Sequence, residues 1–247
     1  GLAVAAIALI AVLPEYAVGL YFAWMAGKDP AYCHYALANM TGANRLLIGV
    51  GWPLVVVLWF LRTRRKEMQV RDERRVEVGY LAIATAYAFV LPFKANLSVI
   101  DSIVFLSLYG AYLARSYMGQ RREPELVGPA EAIGSLHPWI RRLLTAVLFV
   151  YAAAVIALTT KPFAEALLQI GRSMGVDEFL LVQWLAPMAS EAPELAVACV
   201  FVLRLRSDMA LGTLVSSKVN QWTLLVGALP IAYAISVSYT HLRAHET

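Results

Sequence analysis

The chain has 247 residues, of which 60% are hydrophobic and only 15% charged, and its formal net charge is +4. This balance excludes an ordinary soluble domain, and the recurrence of long apolar stretches indicates a polytopic membrane protein. The basic residues cluster in short loops between these stretches, which argues against a nucleic-acid partner. The two cysteines, Cys33 and Cys199, are far apart in sequence and are interpreted as packing residues.

Seven segments are long enough to cross a bilayer, and backbone hydrogen bonding in lipid requires that they be helices. The sequence therefore predicts an all-α polytopic membrane fold. In chain order the predicted spans are Leu2–Met25, His34–Leu61, Val76–Phe93, Leu97–Tyr117, Leu143–Ile170, Glu178–Leu205 and Ala210–Val237.

Alternate loops are rich in arginine, which predicts the orientation of the chain. Loops 62–75 and 115–142, together with "RLRSD", are assigned to the cytoplasm of a prokaryotic inner membrane. The long loop suggests two halves, 1–118 and 139–237, joined by a linker over 119–138. The chain opens inside an apolar segment, which suggests truncation, and the polar segment 238–247, "SYTHLRAHET", is interpreted as a non-native tail.

The two halves resemble each other in a way that predicts an inverted repeat. "LPEYAVGLYFAW" precedes "YALANMTGANRLLIGVGWP", and "APELAVACVFVLRL" precedes "MALGTLVSSKVNQWTLLVGALP". Because the first predicted span runs outward and the sixth inward, the two Pro-Glu pairs lie in oppositely directed segments. Such repeats are typical of secondary transporters, whose ion site lies near the membrane midplane between the repeats.

The Pro-Glu pairs supply the chemistry of a cation site. Pro14 and Pro193 are each expected to break a helix and free a backbone carbonyl. The adjacent Glu15 and Glu194 supply negative charge, and a carboxylate buried in a bilayer indicates function unless it is paired. We therefore expect these two glutamates to coordinate a metal cation.

Polar side chains in the following spans are too numerous for helix packing alone, so some should face a polar cavity. These candidates for ion binding are Asn39, Asn44, Thr213, Ser217 and Gln221.

The quoted segments resemble the two alpha repeats of the sodium/calcium exchanger superfamily. The resemblance covers four of the seven spans and implies a ten-helix fold lacking here its first helix and its last two. It implies exchange of one cation for another by alternating access, with Glu15 and Glu194 as the central glutamates. The family's hydroxyl pair corresponds to Ala11 and Val12 in the first half and to Ser190 and Glu191 in the second, so Glu191 is an additional acid.

Two basic residues within the polar runs depart from the family pattern. Arg45 and Lys218 are expected to compensate the charge of the nearby glutamates, although Arg45 could equally extend to the membrane surface. Calcium prefers six to eight oxygen ligands, often carboxylates, so a fixed cation weakens the expectation of calcium selectivity. A lysine could take the place of a bound sodium ion or exchange a proton.

The sequence thus predicts an antiporter moving Ca²⁺ or another cation against Na⁺ or H⁺, without a cofactor, whose partners are the lipid bilayer and small inorganic cations. The alternatives are a channel-like or non-transporting member of the same fold and, less favoured, an intramembrane hydrolase. The motifs of metalloproteases and serine hydrolases are missing from the sequence, which disfavours the hydrolase.

Overall fold

The computed structural model describes the backbone of residues 2–68, 74–118 and 129–244, and the side chains of these except 2–12, 117, 129–130 and 239–244. Within these ranges the secondary structure is helical. The α-helices are α1 (Leu2–Ala26), α2 (Cys33–Leu46), α3 (Trp52–Thr63), α4 (Arg74–Ala88), α5 (Leu91–Lys94), α6 (Val99–Met118), α7 (Pro129–Gly134), α8 (Pro138–Met174), α9 (Glu178–Leu203), α10 (Ser207–Asn220) and α11 (Val226–Ala244).

Two five-residue π-helical segments connect helices without a break in the chain direction. The first π segment (Leu47–Gly51) joins α2 to α3, and the second π segment (Gln221–Leu225) joins α10 to α11. A π turn is rare and usually occurs as a single wide turn at a functional site. Each predicted span that follows a Pro-Glu helix is therefore one continuous helix with a wide turn in its middle.

Six candidate membrane spans lie within the described part of the chain, and they correspond to the second to seventh predicted spans. The side chains of most of the first predicted span lie outside the described residues, although its backbone forms α1. The third span is divided at residues 89–90, because Pro92 in α5 lacks the N–H that a continuous helix requires. The length and apolar character of these helices indicate an integral membrane protein.

The matching of the two halves extends to individual residues. Adding 174 to the residue numbers of α2 and the first π segment gives the bounds of α10 and the second π segment. The packing is equivalent in the two halves, because each Pro-Glu helix packs against the helix that follows the π segment of the other half. Thus α1 packs against α11, and α9 packs against α3. These paired contacts bring the two Pro-Glu helices together in the interior of the helical bundle.

Helices α2 and α9 approach each other closely at Gly42. A side-chain carbon added at Gly42 would lie 1.9 Å from the carbonyl oxygen of Gln183. A glycine therefore allows two backbones to touch at this point, as small residues do between membrane helices. Tyr35 strengthens the same contact by donating a hydrogen bond to Glu178 (3.1 Å).

Three expectations on chain organisation receive different outcomes. The predicted linker 119–138 and the basic loop 62–75 lie partly outside the described residues. The backbone remains helical to Ala244, so residues 238–244 of the predicted tail are helical, and residues 245–247 are not described. The expectation that Pro14 and Pro193 break their helices is wrong, because α1 and α9 run through them. The remaining backbone hydrogen bonds of each helix and its packing hold it together across the missing donor.

Candidate ion site

Three glutamates are buried where α1, α9 and the second π segment meet. Glu15 on α1 is 2% exposed, and Glu191 and Glu194 on α9 are 1% and 6% exposed. Glu191 and Glu194 are three residues apart, which places both on one face of α9. Burying carboxylates costs several kcal/mol each unless they are paired or bind a cation, so this cluster needs compensating partners.

Gln221 connects two of the carboxylates. Its side-chain nitrogen Nε2 donates to Glu15 Oε2 at 2.7 Å and also to Glu191 Oε1. Gln221 is the first residue of the second π segment and is 1% exposed. The amide therefore lies between a carboxylate of the first half and a carboxylate of the second.

Lys218 lies behind Gln221 and is fully buried. Its ammonium group donates to the carbonyl oxygen of Ala43 (3.1 Å), to Asn44 Oδ1 (3.0 Å) and to Gln221 Oε1. These three acceptors use all three donors of the ammonium group. Lys218 thus reaches the carboxylates through the Gln221 amide.

The π segments place these acceptors. Leu47 N–H is shared between the carbonyls of Ala43 and Asn44, and in the second half Gln221 N–H is shared between those of Ser217 and Lys218. Sharing one donor between two carbonyls weakens each bond, which leaves the Ala43 carbonyl able to accept from Lys218. The Ala43 and Ser217 carbonyls therefore each share their donor at matching positions, where the helix enters its π segment.

Several buried oxygens near the cluster have no hydrogen-bond partner within the described structure. They belong to Glu15 Oε1, Glu194 Oε2, Ser217 Oγ, Asn39 Oδ1 and Asn220 Oδ1. Ser217 lies beside the Glu194 carboxyl group, and Asn39 lies against α1 one turn beyond Glu15, near Gly19. Buried polar atoms are seldom left without partners, so these oxygens are free to bind a cation or water.

The remaining predicted site residues lie at the margin of this cluster or outside it. Ser190 Oγ makes a weak contact to the carbonyl of Pro187 (3.4 Å), and Thr213 Oγ1 bonds to the carbonyl of Met209 in its own helix (2.9 Å). Arg45 is exposed on α2, and within the described structure it forms no hydrogen bond to the cluster. Lys218 is therefore the basic residue that reaches the glutamates.

A cavity of about 160 Å³ opens beside the cluster between α1, α8 and α9. Pro14 and Ser190 line its inner end, and Thr159 and Thr160 of α8 line the opposite wall. The cavity approaches both Pro-Glu helices near their prolines. Pro14 and Ser190 directly precede Glu15 and Glu191 in the sequence, so this cavity lies next to the glutamate cluster.

The glutamates do not form a metal site by themselves in this conformation. Across the described residues, no three histidine, cysteine, aspartate or glutamate side chains converge in a way that could hold a metal ion. The Gln221 amide nitrogen donates to both Glu15 and Glu191, whose carboxyl groups also lie within hydrogen-bond reach of each other. Gln221 was predicted as an oxygen ligand, but its oxygen faces Lys218 and its nitrogen faces the carboxylates.

Sequence reasoning missed two features of this region. Gln183, which is 4% exposed and touches Gly42 through its backbone, belongs to the close contact between α2 and α9. Glu77 on α4 accepts hydrogen bonds from Arg74 (2.7 Å) and Ser216 (3.1 Å), which ties α4 to α10. A glutamine in an apolar span is a signal for the first feature, whereas the second depends on a contact between distant segments.

Comparison with known proteins places the chain in a structural context. The family model described as "Sodium/calcium exchanger protein" matches residues 2–118 and 144–244. The crystal structure of the H⁺/Ca²⁺ exchanger CAX is 50% identical, with a TM-score of 0.91, over 94% of this chain and 59% of that protein. The sodium-calcium exchanger NCX_Mj, soaked with Na⁺ and Sr²⁺, shares 18% identity with a TM-score of 0.58, over 93% of this chain and 72% of that one. No curated protein sequence matches the chain.

Proposed function

Because the chain belongs to the sodium/calcium exchanger protein family, we propose that it forms the ion-binding core of a secondary active cation antiporter. In this proposal Ca²⁺ or another cation moves against Na⁺ or H⁺ by alternating access. Glu15 and Glu194 supply the charge of the ion site, Glu191 adds a third carboxylate, and no cofactor takes part. The chain spans 59% of the length of the H⁺/Ca²⁺ exchanger CAX, so the proposal concerns the whole protein to which these residues belong.

The observation that carries the proposal is the burial of three carboxylates where the two matching halves meet, with an unpartnered oxygen on two of them within the described structure. A permanent structural role predicts that the carboxylates are fully hydrogen-bonded, as Asp101 is at the start of α6. Glu15 and Glu194 instead each keep one oxygen without a partner among the described residues. Such oxygens suit the hard cations, which bind carboxylate, carbonyl and hydroxyl oxygen.

The asymmetry of the repeats supports alternating access. The α2–α9 contact is tight at Gly42, and a Tyr35–Glu178 hydrogen bond lies nearer the start of both helices. Both helices begin on the side predicted to be extracellular. We propose that this contact seals the outer side in this conformation, and that the opposite state forms the equivalent contact between the other members of each repeat.

The experiment that tests the proposal is ion flux in proteoliposomes containing the full-length protein. We expect Ca²⁺ uptake that is driven by an outward Na⁺ or H⁺ gradient and that saturates with increasing Ca²⁺ concentration. Glu194→Gln, which removes the charge and keeps the shape of the side chain, is expected to reduce this uptake about tenfold or more. The matched control is Glu165→Gln on α8, whose carboxylate is 53% exposed, pairs loosely with Lys161 (3.8 Å) and accepts a weak hydrogen bond from Tyr21 (3.4 Å).

Two outcomes decide between this function and its rivals. If no gradient moves Ca²⁺ or Na⁺, and Glu194→Gln behaves like the wild type, the antiport proposal fails and a non-transporting role is favoured. A current that rises linearly with ion concentration and needs no counter-ion indicates a channel.

A further inference from the structure

Lys218 is the basic residue that the glutamate cluster approaches, yet none of the described carboxylates bonds to it directly. Its ammonium group is held by three neutral oxygens, from the backbone of Ala43 and the side chains of Asn44 and Gln221. Two of these oxygens belong to the first repeat and one to the second. We call the set of three oxygens the oxygen cage.

The oxygen cage has the composition of a binding site for a small monovalent cation. Carbonyl and amide oxygens without net charge, contributed by different helices, are ligands suited to a hard cation of low charge. The repeat relation sharpens the point, because Asn44 and Lys218 occupy matching positions, 174 residues apart, and they bond to each other. At this position the first repeat supplies a ligand, the Asn44 side-chain oxygen, and the second supplies the Lys218 ammonium group that it binds.

The Gln221 side-chain amide has one orientation that suits both Lys218 and the glutamates. Its oxygen faces the ammonium group of Lys218, and its nitrogen faces Glu15 and Glu191. Reversing the amide would direct its N–H groups at an ammonium and its oxygen at two carboxylates, so only the observed orientation satisfies every partner. The positive charge of Lys218 is thus presented to the glutamates through one polarised amide.

We propose that the Lys218 ammonium group is a tethered substitute for a monovalent inorganic cation, seated in a cation subsite next to the transported-ion site. This inference rests on the proposed antiport function for the role of the neighbouring glutamates. An uncharged residue at position 218 would avoid the cost of burying an ammonium group, as Asn44 does in the first repeat. The lysine therefore supplies a charge that the subsite requires.

Chemical rescue tests this inference. Lys218→Ala removes a fragment equal in size to propylammonium and leaves the oxygen cage in place. Thermal unfolding of the detergent-solubilised full-length protein is measured in propylammonium chloride, sodium chloride and N-methylglucamine chloride at equal ionic strength. Relative to N-methylglucamine, propylammonium is expected to raise the midpoint of Lys218→Ala by roughly 5 °C, by binding only the folded state.

Two reference proteins separate rescue from general salt effects. The wild type, whose cage is filled, and Lys218→Met, whose side chain fills the space without charge, are expected to show no shift with propylammonium. 1-Propanol, which matches the fragment in size but carries no charge, is expected to leave Lys218→Ala unchanged. Additional stabilisation of Lys218→Ala by sodium, beyond that of the wild type, further supports the inference.

The inference is overturned if propylammonium shifts all three proteins equally or leaves Lys218→Ala unchanged. It is also overturned if Lys218→Met can be recovered folded but Lys218→Ala cannot be recovered in any of the salts. That result would show that the protein needs a side chain that fills the space beside the oxygen cage, and not a positive charge. These results do not depend on transport. A wild type that moves no cation refutes the antiport proposal, whereas failure of rescue refutes this inference alone.

Discussion

Gly42→Ala is expected to destabilise the protein more than any other single methyl group added at a described glycine. The new carbon would lie 1.9 Å from Gln183 O, 2.7 Å from its carbonyl carbon and 3.0 Å from its Cα. These are backbone atoms, so no side chain can rotate away. The first distance is about 1.5 Å short of ordinary van der Waals contact, and α2 and α9 must move apart by a similar amount.

The expected cost follows from that displacement. Overpacking a well-packed interior costs about 1–3 kcal/mol, and a backbone clash belongs at the upper end, at about 3 kcal/mol. For a chain of this size, 1 kcal/mol corresponds to a change of about 2–4 °C in the unfolding midpoint. Gly42→Ala should therefore lower the midpoint in detergent by roughly 6–12 °C.

Gly110→Ala is the matched control. Gly110 lies inside α6, and no atom lies within 4 Å of the carbon that alanine would add. Alanine forms helices better than glycine by about 1 kcal/mol, so this variant should melt at or above the wild-type temperature. If Gly42→Ala melts within roughly 2 °C of the wild type, the close contact between α2 and α9 is refuted.

Two further predictions concern stability and orientation. Asp101→Ala removes a buried acceptor bonded to Lys94, which is 34% exposed, and should lower the free energy of unfolding by about 2 kcal/mol. Lys161→Ala, in an exposed ion pair, should change it by less than about 0.5 kcal/mol. Equal effects of the two substitutions in a denaturation assay would contradict this reasoning. Cys33 is exposed at the start of α2 and, in a Cys199→Ala background, should react with an impermeant maleimide added outside intact cells. Labelling only after permeabilisation would reverse the predicted orientation.

The helical fold was predictable because two strong signals agree. Apolar runs of bilayer length specify helices, and the repeated Pro-Glu segments specify how the halves correspond. Even the correspondence of "YALANMTGANRLLIGVGWP" with "MALGTLVSSKVNQWTLLVGALP" could be read from sequence, and it agrees with the equal spacing of the helices and π segments in the structure. What these signals share is that they depend on composition and local order alone.

The details of the candidate site were not predictable in the same way. A buried lysine near three glutamates suggests direct ion pairs, yet Lys218 bonds to neutral oxygens and Gln221 separates it from the acids. Arg45, in a similar stretch of sequence, is exposed instead. Which of two bases turns inward depends on the rotation of each helix about its axis, and that rotation is set by packing between residues distant in sequence.

The π segments also shift the helical periodicity of the side chains along each of these helices. A π turn accommodates one residue more than an α turn, so side chains beyond it are displaced by about 100° from the periodicity established before it. A single helical wheel drawn through 33–63 or 207–244 therefore assigns the wrong face to one half of each helix. Hydrophobic periodicity should therefore be calculated separately on either side of Leu47–Gly51 and Gln221–Leu225. Any redesign of the lipid-facing surface should treat those segments as the points where the helical periodicity shifts.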